Sequence, residues 1–117
     1  MTFSEPVRHV ISQEQGTENQ ELLNVDYYNI KKASLVLRSL NHKLRQQIIK
    51  TIFETQKLTV TQLYVKLRLE QSVASQHLAI LRKAGIVKTE REGKFIFYSI
   101  NPVRIESIND FVKKLIG

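Results

Sequence analysis

Apolar residues recur at helical spacing in several stretches of this chain, and the polar residues between them carry the marks of helix ends. Tyr27, Ile30, Ala33, Leu37 and Leu40 share one face downstream of Asp26, whose carboxylate suits an N-cap, so a first helix is predicted to about Leu40. Asn41 reads as a break and as the N-cap of a second helix, His42 to Glu54, with Leu44, Ile48, Ile49, Ile52 and Phe53 as its apolar face. Thr59 opens a short third helix, and Gln62 three residues later completes a capping box. Leu63 and Leu67 are its buried positions. After the turn Arg68–Leu69–Glu70 a fourth helix is predicted from about Gln71 to Ala84, anchored on Ala74, Leu78 and Leu81. Gly85 then stands where a helix end favours positive φ.

The periodicity next shifts from helical to alternating. Ile86–Thr89 and Phe95–Ile100 are predicted strands, with Glu92–Gly93 in the turn between them. Phe95, Phe97 and Tyr98 are expected to pack the hairpin and the core, because the strands would otherwise lack a buried face. Asn101–Pro102 starts a last helix carrying Ile105, Ile108, Val112, Leu115 and Ile116. Residues 1–24, rich in Gln, Glu, Asn, Ser and Thr, are read as a flexible acidic arm, and residues 25–117 as one domain. The expected fold is mainly α with a small β-hairpin. A short helix, a polar-nosed helix and a basic hairpin in succession outline a winged helix-turn-helix of about five helices plus a two-stranded wing.

Charge sharpens this picture. The chain carries a net +7, but residues 1–24 hold four glutamates against one arginine, which leaves +10 on the remainder. A basic domain behind an acidic leader points to an anionic partner. The 117 residues allow one domain with a modest core. No stretch is apolar enough to span a membrane, and the start lacks a signal peptide, so a cytoplasmic location with no membrane partner is expected. Cysteine is absent, which excludes disulfides, thiolate metal sites and thiol redox switching. No cofactor motif is present.

The fourth helix is the candidate reading element, with Ser72, Ser75, Gln76, Ala79 and Lys83 directed outward. Gln71 and Ser72 lie at its N-terminal end, where free N–H groups and the helix dipole attract phosphate. Gln76 suits adenine, the serines suit either base class, and Val73 offers a methyl surface to thymine. His77 flanks the buried face, placed to pack on the preceding helix or reach a phosphate, rather than to ligate a metal. In the hairpin, Lys88, Arg91 and Lys94 surround the tip and suit phosphate or minor-groove contact, which gives affinity with little sequence choice. The competing view is a solvated surface helix and turn, which the capped helix before them and their mutual adjacency weigh against.

These residues also carry a resemblance. SLNHKLRQQII, KLTVTQL, LEQSVASQHLAILRKAGIV and REGKFIFYSIN, spanning Leu40–Asn101, resemble the ArsR/SmtB-like winged-helix repressors. The resemblance implies a homodimer joined through the first and last helices, binding a palindromic operator in double-stranded DNA and blocking transcription. Departures are informative. Thr59 and Thr61 stand where many members have metal-binding cysteines, and the last helix offers Glu106 and Asp110 without a histidine, so no metal site is expected. Glu70 stands at the N-cap where the family often has serine. Acidic Glu70, Glu90 and Glu92 leave room for a protein-interaction module, and the basic charge for a nonspecific architectural DNA binder. No catalytic constellation emerges, so an enzyme is not expected.

Overall fold

The computed structural model describes residues 23–117. Five helices and one hairpin follow in the order α1 (Tyr27–Leu40), α2 (Lys43–Thr55), α3 (Val60–Leu67), α4 (Gln71–Lys83), β1 (Val87–Glu92), β2 (Phe95–Ile100) and α5 (Pro102–Ile116). The acidic arm expected over residues 1–24 lies almost wholly outside the described residues. The chain divides into two compact units between Ser34 and Leu35, inside α1; α2 to α5 and the hairpin lie in the second.

Four of the five helices begin at a side-chain cap. The Asp26 carboxylate accepts from the Asn29 amide at 3.1 Å. The Thr59 hydroxyl accepts from the Gln62 amide at 3.1 Å while the Gln62 side chain accepts from the Thr59 amide at 2.9 Å, so the capping box closes in both directions. Asn101 Oδ1 accepts from the Arg104 amide, and Pro102 opens α5. The second helix departs from expectation. Its N-cap is His42, not Asn41: the Asn41 amide still bonds Leu37 as the tail of α1, and His42 Nδ1 accepts from the Arg45 amide at 3.4 Å.

One core runs through the unit. Ile48 and Ile52 of α2, Leu63 of α3, and Ala74, Leu78 and Leu81 of α4 are all fully buried, with Leu58, Ile86 and Val87 completing the cluster. The hairpin is antiparallel with Val87 opposite Ile100 and Glu92 opposite Phe95. β1 therefore runs to Glu92, three residues past its expected end, and the turn is Gly93–Lys94. Positive φ at Gly93 alone fits a two-residue turn of the II′ kind. Leu58 bridges Tyr98 through two backbone hydrogen bonds of 3.1 and 2.7 Å, which ties the hairpin to the segment between α2 and α3. Tyr98 is partly buried as expected. Phe95 is not: register puts it on the opposite face, 52% exposed, where the Lys94 ammonium covers its ring.

Candidate nucleic-acid interface

The reading helix is fixed from three directions. Ala74, Leu78 and Leu81 hold one face in the core at 0% exposure, worth about 1.5–3 kcal/mol for each leucine. At its start, Arg68 adopts a left-handed conformation (φ 55°) and the Leu69 amide returns to the Tyr64 carbonyl at 2.9 Å, so α3 ends and α4 begins within three residues. At its end, Gly85 (φ 80°) turns the chain, the Ile86 amide bonds the Leu81 carbonyl at 2.9 Å, and Arg104 Nε of α5 donates to the Ala84 carbonyl at 3.0 Å. A guanidinium at a helix C-terminus answers the negative end of its dipole.

This anchoring leaves Gln71, Ser72, Ser75, Gln76, Ala79 and Lys83 exposed, with Val73 and His77 partly buried beside them. All five residues inferred from periodicity to point outward are exposed, together with Gln71, Ile80 and Arg82. Glu70 occupies the N-cap but makes no capping hydrogen bond with its side chain. The first-turn amides thus have no cap from the Glu70 side chain, an arrangement suited to a phosphate oxygen. His77 is engaged from behind: its Nδ1 lies 3.2 Å from Arg45 Nη1, and its ring lies 5.0 Å from that of His42. Burial, and then the neighbouring His42 and Arg45, push the His77 imidazole below its ordinary value of 6.5.

In the wing, Lys88, Arg91 and Lys94 are all exposed. Arg91 Nε donates to the Gly93 carbonyl at 3.0 Å, which folds the guanidinium over the turn. Glu92 pairs with Lys57, whose ammonium also sits 4.7 Å from the centre of the Phe97 ring. Among the described residues this is the only salt bridge, so Arg91 and Lys94 have no carboxylate partner. With both members exposed the pair contributes well under about 1 kcal/mol, but it neutralises one of the two acidic groups near the tip.

Three residues support this surface through contacts distant in sequence: Lys57, Arg104 and Arg45. Arg45 left a trace in the local sequence, since it shares the helical stripe of Ile48, Ile49 and Ile52, where a cation must be buried. It is 8% exposed and donates to the Ser39 carbonyl at 2.7 Å and the Arg38 carbonyl at 3.2 Å. No group of three or more metal-binding side chains comes together among the described residues, and Glu106 and Asp110 are exposed along α5.

Comparison with known proteins meets this geometry. The model of the bacterial arsR family of regulatory proteins matches residues 42–89, which run from the α2 cap into the wing. The transcriptional repressor PagR of Bacillus anthracis is 33% identical over 72% of this chain and 84% of its own. The transcriptional activator HlyU of Vibrio cholerae is 32% identical over 74% of this chain and 80% of its own. The crystal structure of PagR superposes with a TM-score of 0.60, covering 74% of this chain and 99% of that one. An ArsR-like regulator from Rhodococcus, only 16% identical, reaches 0.68 over 74% of this chain and 81% of that one, a likeness of fold.

Proposed function

The chain belongs to the ArsR family of winged-helix, DNA-binding transcriptional regulators, and from that premise we propose that it is a homodimeric repressor which reads a palindromic operator through α4. The observation that carries this reading is the exposed polar face of α4, with no cap from the Glu70 side chain, adjoining a wing whose cations Arg91 and Lys94 pair with no carboxylate among the described residues. In this reading Gln71, Ser72, Val73, Ser75 and Gln76 enter the major groove and His77 lies behind them on the same helix. Lys83, Lys88, Arg91 and Lys94 meet phosphates or the minor groove. Zero cysteines exclude a thiolate metal sensor, so the releasing signal acts through other groups. A regulator of this kind works in the cytoplasm; no helix among the described residues is long and apolar enough to cross a membrane.

Dimerisation is supported by what the terminal helices leave uncovered. No residue of α5 is buried, and Phe111, Leu115 and Ile116 are 47%, 65% and 79% exposed. Leu35 on α1 is 54% exposed. Apolar stripes of this kind call for a partner surface, and a two-fold dimer would set its reading helices one helical turn of DNA apart, about 34 Å. Sedimentation equilibrium tests the assembly: the protein should run at twice its chain mass and Ile116→Glu at the chain mass. A monomeric wild type at micromolar concentration would overturn the dimer.

A further inference from the structure

Behind the reading helix, Arg45, His77 and His42 form a closed set of contacts. The Arg45 guanidinium spans two helices: it donates to the last-turn carbonyls of α1 at Arg38 and Ser39 and to the imidazole of α4. Arginine has donors only, so His77 Nδ1 must accept in this bond and cannot carry a proton. The same logic holds for His42, whose Nδ1 accepts the Arg45 amide as the cap of α2. Both structural bonds therefore exist only with neutral rings, and the rings face each other at 5.0 Å. A proton on either ring removes an acceptor and brings a positive charge beside a guanidinium that is itself buried.

We propose that Arg45, His77 and His42 are positioning residues that hold α4 in its reading orientation, and that protonation of the His77 imidazole releases this clasp and weakens specific DNA binding. The inference rests on the reading of α4 as the DNA-recognition helix. The charged groups that act on His77 are His42 and Arg45, both from α2. From α1 the Arg38 and Ser39 carbonyls bond Arg45 rather than the ring, and among the described residues no charged group of α3, β1 or α5 acts on it. Among the described residues no carboxylate pairs with this ring. His77 is accordingly held below its ordinary 6.5. A depressed value means the unfolded chain binds the proton more readily. The neutral-ring contribution is thus complete above 6.5 and is lost as pH falls through the lowered value.

The sign is diagnostic. Added positive charge on a DNA-binding protein ordinarily tightens its hold on phosphate. The clasp predicts the reverse for specific sites. Fluorescence anisotropy of the full-length protein on the DNA upstream of its own gene, and on a scrambled duplex, should be run at constant ionic strength near about pH 8 and about pH 5.5. The ratio of specific to scrambled affinity should fall about tenfold on acidification, the size expected for losing hydrogen bonds of this kind. His77→Gln, whose side-chain oxygen accepts from Arg45 without titrating, should flatten that fall. Histidine-selective NMR of the free protein supplies an independent readout, with His77 expected protonated at Nε2 and bare at Nδ1. Specific binding at pH 8 that persists undiminished at the lower pH, or a proton at Nδ1, would overturn the clasp. Equal affinity for both duplexes at pH 8 would instead overturn the reading it rests on, and the inference with it.

Discussion

Replacing Gly85 by alanine should destabilise the protein by up to about 2 kcal/mol, and up to half of that should depend on Arg104. The backbone at Gly85 has φ 80°, where an L-residue costs about 1 kcal/mol. A Cβ built there comes to 3.0 Å from Arg104 Nε, the same atom that donates to the Ala84 carbonyl at 3.0 Å. The guanidinium must therefore shift by a few tenths of an ångström, which weakens its bond to the end of α4 at a cost of up to about 1 kcal/mol more. Arg104→Ala alone should cost about 1 kcal/mol, and adding Gly85→Ala to it should cost only the backbone term, because nothing then remains to displace. Urea denaturation followed by far-UV circular dichroism measures all four members of the cycle at one fixed protein concentration, since dimerisation makes apparent stability concentration-dependent. A coupling near zero, or a Gly85→Ala cost below about 0.5 kcal/mol, would refute the contact-based reasoning.

Gln76→Ala should lower discrimination between operator and scrambled duplex by about 1–3 kcal/mol, whereas Arg91→Ala should weaken both equally and reduce the slope of log affinity against log salt by about 1 per protomer. Anisotropy titrations at several salt concentrations separate the two, and identical behaviour would contradict the division between helix and wing. Glu70→Ser should supply the side-chain cap that α4 lacks, raising stability by about 1 kcal/mol and tightening DNA binding by removing a carboxylate beside the phosphate position. An unchanged denaturation midpoint with weaker DNA binding would count against the role given to the helix start.

Much of the fold could be read from local chemistry because its decisive signals are short. The Thr59–Gln62 capping box, the Ala74–Leu78–Leu81 stripe, Gly85 and Asn101–Pro102 each act within one or two turns, and each sits in the structure as its residues suggest. The exposed set on α4 followed from the same stripe. What was not legible depends on partners far along the chain. Arg45 meets His77 across 32 residues, Lys57 meets Glu92 across 35, and Arg104 reaches Ala84 across 20. The length of β1 was obscured because Glu90, Arg91 and Glu92 look like turn residues; pairing with Phe95–Phe97 overrides that local preference. His42 displaced Asn41 as cap for a related reason, since Asn41 is still held by the last turn of α1.

The central claim is that α4 and the wing read a particular DNA sequence, and fluorescence anisotropy on the DNA upstream of the protein's own gene tests it most directly. A scrambled duplex of equal length and composition should be titrated in parallel at low and at moderate salt. The account predicts tighter binding to the native fragment, with a preference that survives the rise in salt while the scrambled duplex is lost. Equal affinities that collapse together as salt rises would contradict it.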